Sequence, residues 1–346
     1  YVFILANESF NKFGINQIYA SRGLGVGPWE SFFKVALPMA IPALVTGISL
    51  MCMEVMNELG TFELLNIPSI STGITENWII DGDPKSAFGL SLVALLIIFT
   101  LIIFEKFSRS RSKRWSENPA SQDSQGWELK NFRAFLAIII SMFPPIFSLG
   151  IPCFWIFLNI DQVQKGFSLE LLTLASRTIG LGLITALITM LLGLFLSLAS
   201  RQNKGILLKS ATSLAGIGYA IPGTVIALSL INISSSDLKF ISICFLIWGY
   251  LVRFLTISKG SIDSSLERIS PNLDEAANGL GANWLSILRR IHMPLLKGPI
   301  FVGSLLVFVD TIKELPITFI LRPFDFDTLS VRIYQYAGDE RMVEAI

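Results

Sequence analysis

Five stretches of this chain contain no charged residue: 35–53, 86–104, 134–158, 178–200 and 210–236. A helix needs about 20 consecutive apolar residues to cross the hydrocarbon core of a bilayer, so each stretch is long enough to span. Shorter runs at 240–252 and 298–309 reach spanning length if a flanking Lys or Arg snorkels to the interface. Seven spans are therefore expected, with the end of a further helix at residues 1–6. In lipid the backbone must satisfy its own hydrogen bonds, which leaves helices or closed barrels. Sustained strand-like alternation is absent, so the expected fold is an all-α polytopic membrane protein. Composition agrees: 52% hydrophobic residues, 15% charged residues and a mean hydropathy of +0.62 give more apolar surface than a soluble chain of 346 residues can hide.

The net charge of +1 gives no sign of nucleic-acid binding, but the placement of the charges is informative. Residues 105–133 form a hydrophilic stretch with Lys106, Arg109, Arg111, Lys113, Arg114, Lys130 and Arg133. The positive-inside rule makes that stretch cytoplasmic, and alternation of spans then places 7–34, 201–209 and 253–297 on the same side. Together these four segments hold 19 of the 27 Lys and Arg residues. Ser108 to Lys130 is rich in Ser, Arg, Asn, Pro and Gln and reads as a cytoplasmic linker.

Two segments whose residue numbers differ by 256 carry one pattern. The first reads Tyr19-Ala20-Ser21-Arg22-Gly23-Leu24-Gly25, then nine residues, then Val35-Ala36-Leu37-Pro38. The second reads Glu275-Ala276-Ala277-Asn278-Gly279-Leu280-Gly281, then nine residues, then Ile291-His292-Met293-Pro294. The correspondence continues without a gap, placing Glu58-Leu59 on Glu314-Leu315 and Gly82-Asp83 on Gly338-Asp339. The chain thus divides into residues 1–107, the C-terminal part of a first unit; the linker 108–130; and residues 131–346, a second unit lacking its last membrane helix. There is no initiator Met, and a fragment truncated at both ends is expected.

The second loop has a readable local logic. Pro271 cannot continue a preceding helix, Asp274 can act as an N-cap or first-turn charge, and Glu275-Ala276-Ala277 favours a short helix. Gly281 can take a left-handed turn without a side-chain penalty. Trp284, Ile287, Leu288 and Ile291 then share one face opposite Arg289-Arg290, which predicts a second helix along the membrane surface. Pro294 is placed to start the next span.

The second copy resembles the EAA loop of the membrane subunits of binding-protein-dependent ABC importers: Glu-Ala-Ala, three residues, Gly, nine residues, Ile-x-Leu-Pro. It departs only at Met293. The first copy keeps Ala20, Gly25, Leu37 and Pro38, has Val35 for Ile, and departs at Tyr19 and Ser21. Tyr219-Ala220-Ile221-Pro222-Gly223-Thr224, Lys313-Glu314-Leu315-Pro316, Leu321-Arg322-Pro323-Phe324 and Thr328-Leu329-Ser330-Val331-Arg332 further resemble the ferric-iron permeases, in which two such units are fused. Tyr1-Val2-Phe3 and Asn57-Glu58-Leu59-Gly60-Thr61 fit that family's first half.

The resemblance implies two tandem ABC-importer permease units in a bacterial inner membrane, surrounded by lipid. Two copies of a separate ATPase subunit, which holds the ATP and Mg, would grip the loops at Glu275, Ala276, Ala277, Gly281, Ile291 and Pro294, and at Tyr19, Ala20, Gly25, Leu37 and Pro38. An extracytoplasmic ferric-binding protein would deliver the cargo, and ATP binding would switch the spans between inward and outward access. No Gly-Lys-Ser/Thr occurs in this chain, so it should bind no cofactor or ATP itself. Thiamine, oxyanion and polyamine permeases remain alternatives. A polytopic membrane enzyme would need polar groups converging within the spans, which are nearly bare of His, Asp and Lys. A secondary transporter would transport without any ATPase subunit, and the inverted repeat common in that class is missing here.

Asp310, Lys313 and Glu314 follow Pro294 by 16 to 20 residues, about 24–30 Å along a helix, and Glu54 and Glu58 occupy the matching places in the first unit. Intramembrane charge is costly, so these acids are expected to line an outer vestibule or seal it through ion pairs with Lys313, with interfacial anchoring as the alternative. Without a cluster of intramembrane Tyr, His and acid, iron would cross a wide cavity rather than a ligand cage. His292, the only histidine, is expected to be structural, and Cys52, Cys153 and Cys244 are expected to be buried small hydrophobes. The prolines at 144, 145, 152 and 222 predict spans that bend.

Overall fold

The computed structural model describes residues 2–112, 129–160, 169–202, 205–231, 233, 239–266, 269–339 and 341. Every regular element among them is helical. Among the described residues six helices are long and apolar enough to cross a membrane: Pro28–Met56, Pro84–Phe104, Phe132–Leu158, Leu169–Arg201, Phe240–Leu266 and Trp284–Lys313. The central part of the expected linker, 113–128, and the chain end beyond 341 lie outside the described residues. Contacts gather into two compact units, one from Tyr1–Met56 and Val93–Lys165, the other from Asn57–Leu92 and Gly166–Ala345.

In the first unit α1, Val2–Gly23, runs well past residue 6, where the hydropathy placed the end of a helix. No proline interrupts the chain before Pro28, and the glycines at 23, 25 and 27 supply the stop instead. After the turn, α2 (Pro28–Ser31) leads through a π-helical turn, Phe32–Ala36, into α3 (Leu37–Met56). α1 lies so close to α3 that a Cβ on Gly47 would fall 2.8 Å from the Val2 Cα. α7 (Phe132–Pro145), a π turn at Ile146–Gly150 and α8 (Ile151–Leu158) form a continuous path through Pro144, Pro145 and Pro152. Prolines remove backbone donors, and a wide turn is one way to absorb the loss.

α4 (Gly60–Leu64), α5 (Ile70–Thr75) and a π turn at Glu76–Ile80 lead to α6, Pro84–Ser112. Asp83 caps α6 by accepting from Lys85 N at 3.0 Å and Ser86 Oγ at 2.6 Å. Those bonds favour the charged carboxylate and hold it below its ordinary range, first through the Ser86 hydroxyl.

The second unit is built on α9, Leu169–Gln202, which packs against α12, Lys239–Leu266, and α15, Met293–Lys313. Small residues allow the close approach: a Cβ on Gly303 would meet Met190 at 2.7 Å, and one on Gly193 would meet the Lys259 nitrogen at 3.1 Å. The apolar stretch 210–236 forms no single span. It is divided into α10 (Ile206–Ala215), a 3-10 turn at Gly218–Ala220, and α11 (Gly223–Ile231). Pro222 precludes a straight rod, and Gly218 presses onto α12 so closely that a Cβ there would lie 1.8 Å from the Val252 carbonyl oxygen. α11 is buried almost throughout.

α12 runs to Leu266, well into the segment 253–297 that the charges place on the cytoplasmic side, and Arg253 sits within it, buried. α13 is Pro271–Gly279, with Ser270 as its N-cap and Asp274 in its first turn. α14 (Trp284–Ile287) passes through a π turn at Leu288–His292 directly into α15, so no separate surface helix precedes the span and Pro294 falls inside a continuous helical path. α16, Pro316–Leu321, is buried, and α17 is Leu329–Gly338. Cys153 and Cys244 lie on exposed helix faces and Cys52 is half-buried, contrary to the expectation of burial. Apolar helix faces meet lipid, so hydrophobicity alone does not place a residue inside.

Candidate functional site

Each loop copy is a helix end, a left-handed glycine, a short helix and a π turn, in the same register. Gly25 has φ +84° and Gly281 φ +78°, and no atom comes within 4 Å of a Cβ built on either, so backbone conformation alone demands glycine there. The turns close alike: Gly25 N donates to the Arg22 carbonyl at 3.0 Å, and Gly281 N to the Asn278 carbonyl at 2.9 Å. The π turns Phe32–Ala36 and Leu288–His292 occupy equivalent repeat positions, each shortly before Pro38 or Pro294. The tip of each turn displays an exposed leucine, Leu24 at 85% and Leu280 at 89%.

Around these tips Glu275, Ala276, Tyr19 and Ala20 are exposed, Ala277 is half-buried, and Leu37 and Ile291 turn partly inward. The internal bracing of the copies differs. In the first, the buried Ser21 and Ser31 hydroxyls hydrogen-bond. Their counterparts are Ala277 and Ile287, the latter buried. The second loop is fastened instead through Asp274, whose Oδ2 accepts from Arg201 Nε at 2.7 Å. His292 is buried, and its Nε2 lies 3.1 Å from Asp274 Oδ1. Asp274 and His292 align with Ile18 and Ala36, so the first copy lacks this polar bracing.

The acids after the spans separate into distinct environments. Lys313, exposed, pairs at 2.9 Å with Asp310, which is half-buried. Glu314 is buried with Arg253 at 3.1 Å, the two side chains 5% and 4% exposed. A Cβ on Gly223 would lie 2.7 Å from both Arg253 Nη1 and Glu314 Oε1, so glycine is needed where α11 begins. Asn57 Oδ1 accepts from Gly223 N at 2.6 Å, giving that helix its first-turn partner.

Glu58 and Glu314 share a local role. Glu58 Oε1 accepts from Thr61 N at 3.0 Å and Glu314 Oε1 from Ile317 N at 3.2 Å, each carboxylate capping the short helix that follows. Glu58 is exposed and Glu54 half-buried. Leu59 and Leu315, one residue further on in each repeat, meet in a small apolar cluster with Val331.

Arg253, Arg201 and Asn57 were missed as site residues because their partners lie far along the chain. An arginine amid the otherwise uncharged run 240–257 was the available signal, since an intramembrane charge implies a partner. An open cleft of about 570 Å³ lies between α4, α5, α16 and α17, with Glu63, Asn66, Thr72, Glu76 and Tyr334 among its lining. Burial, then the neighbouring Glu63 carboxylate, push the Tyr334 phenol above its ordinary value. Among the described residues no three His, Cys, Asp or Glu side chains converge.

A relative, the Fe(3+)-transport system permease protein FbpB 2 of Haemophilus influenzae, is 25% identical over 339 residues, which cover 94% of this chain and 66% of that protein. The family model described as binding-protein-dependent transport system inner membrane component matches residues 1–113 and 190–323. With most of its length matched and its helices built to cross a bilayer, this multi-pass membrane protein belongs to the inner-membrane component family of binding-protein-dependent transport systems.

Proposed function

We propose that the chain is the translocating subunit of an ATP-driven importer, built from tandem permease units at 1–107 and 131–346 joined by the linker. Its two loops are the handles of two separate ATPase subunits, which supply the ATP and Mg chemistry. The observation that carries this reading is the repeated loop itself, each copy ending in a left-handed glycine that projects an exposed leucine. Exposed apolar residues accumulate along each loop, Leu24, Trp29 and Phe33 in the first and Leu280, Trp284 and Leu285 in the second, and such an accumulation calls for a partner that covers it. Leu24 and Leu280, with Tyr19, Ala20, Glu275 and Ala276 beside them, would enter a groove on the ATPase. Gly25, Gly281, Leu37, Ile291, Pro38 and Pro294 set the geometry of the handles.

The proposed cargo is ferric iron delivered by an extracytoplasmic binding protein, supported by the relative's iron-transport name. Glu54, Glu58, Asp310 and Lys313 are proposed to line the outer vestibule, whereas Glu314 serves the interior through Arg253. The test is reconstitution with candidate ATPase and binding proteins, followed by uptake of radiolabelled ferric ion and thiamine. ATP-dependent ferric uptake that Leu24→Asp with Leu280→Asp abolishes, by releasing the ATPase, is expected. ATP-independent uptake, or thiamine uptake without ferric uptake, rejects the reading or its cargo respectively.

A further inference from the structure

Arg201 lies in the last turn of α9, and its guanidinium grips the segment that enters the second loop. Besides the bond to Asp274, Nη1 donates to the Leu266 carbonyl at 2.8 Å and Nη2 to the Ile269 carbonyl at 3.0 Å, with a longer contact to the Ser270 carbonyl at 3.4 Å. The Leu266 carbonyl belongs to the last turn of α12, where helix carbonyls lack partners and a cation is favoured. Asp274 opens α13, and its other oxygen faces His292 in the π turn leading into α15. One side chain of α9 thus links the end of α12 and the start of α13, with α15 reached through His292.

The opposite end of α9 is fastened as well. Thr178 Oγ1 accepts from Leu329 N at 2.9 Å, Arg177 Nη1 donates to the Asp325 carbonyl at 3.0 Å, and Glu170 pairs with Arg332 at 2.6 Å. α9 is continuous over 34 residues, about 50 Å at the usual helical rise. Between the fastenings it packs through apolar contacts, with Leu198 meeting Leu266 and Ile269 in one cluster. Such contacts are non-directional and resist sliding weakly, whereas a planar multidentate fork fixes register.

We propose that α9 is a rod carrying displacement of the second loop to the 325–332 segment, with Arg201 the positioning residue that fastens rod to loop. This rests on the reading of the loops as ATPase handles. The aligned first loop has Ile18 and Ala36 in place of Asp274 and His292, so the two handles transmit through different fastenings.

The test uses the full chain with its ATPase in proteoliposomes, measuring radiolabelled ferric ion imported per ATP hydrolysed, together with ATPase association. Arg201→Gln should lower the ratio about tenfold while hydrolysis and association stay within about twofold, a coupling loss of ordinary size between sites. Arg201→Lys should fall as far, because one ammonium cannot serve a carboxylate and two separate carbonyls. Asp274→Asn, which keeps the guanidinium on the carbonyls, should fall less. An unchanged ratio in Arg201→Gln overturns the proposal, as does parallel loss of uptake, hydrolysis and assembly, the mark of a purely structural role. If Arg201→Gln does not accumulate, Asp274→Asn decides: a lowered ratio supports the rod, and an unchanged ratio or failure to accumulate overturns it. A wild type that neither binds an ATPase nor imports on ATP removes the proposed function itself; normal wild-type coupling with a normal Arg201→Gln removes only the rod.

Discussion

Replacing Glu314 by Ala should destabilise the protein far more than any exposed acid does. Glu314 and Arg253 are almost fully buried against each other, and the same carboxylate accepts from Ile317 N. Truncation would leave the guanidinium in an apolar setting with its counter-ion gone, and among the described residues its Nε already has no partner. Removing one partner of a buried pair costs about 3–5 kcal/mol, because the uncompensated charge outweighs the lost attraction. With an unfolding entropy of about 2 cal/mol/K per residue, the thermal midpoint should fall by about 4–7 °C. The assay is thermal unfolding in lipid nanodiscs, followed by tryptophan fluorescence. Glu314→Gln should recover only the part due to the Ile317 bond. The double variant Arg253→Met with Glu314→Leu should lie closer to wild type than either single change, since it removes both charges. A midpoint for Glu314→Ala within 1 °C of wild type, or a double variant as poor as the worse single one, would refute the reasoning.

Gly281→Ala and Gly25→Ala should each cost about 1–2 kcal/mol of local strain, with Gly281→Asn milder; the readout is affinity for the ATPase subunit, which should weaken while the thermal midpoint falls by only about 1–3 °C. Gly218→Ala must displace the backbone of α12, so a cost of about 3 kcal/mol or more and a collapse of the monodisperse fraction on size exclusion are expected. Asn57→Ala should cost about 1 kcal/mol by orphaning Gly223 N, whereas Asn57→Asp keeps the acceptor; thermal midpoints check this. Tyr334 has a raised folded-state value, so its contribution is fully present below the ordinary tyrosine range and is lost as pH rises through the folded value. Stability measured from pH 8 to 11 should therefore fall at the alkaline end, and Tyr334→Phe should lessen that fall.

Membrane helices and the duplicated loop were legible because both are written in local pattern. Lipid demands long apolar runs, and a left-handed turn demands glycine, so the turn at Gly281 was legible locally and the repeat set Gly25 at the matching place. The extent of the helices was less legible. α1 and α12 both continue through residues that hydropathy assigned to loops, since a helix does not end where polarity begins but where glycine or proline stops it. The break after Ala215 was foreshadowed by Pro222, yet its depth follows from the Val252 carbonyl against Gly218, a contact between distant segments.

The sequence by itself determined that this chain is helical, lies in a bilayer, and repeats one handle twice, because hydrophobic length and turn chemistry act within a few residues. Only the tertiary structure decided which charges meet. Glu314 takes Arg253 across 61 positions of chain, and Arg201 reaches Asp274 across 73. The physical reason is burial: an ion excluded from water must find whatever counter-charge the packed helices bring within about 4 Å, and packing, not sequence proximity, selects it.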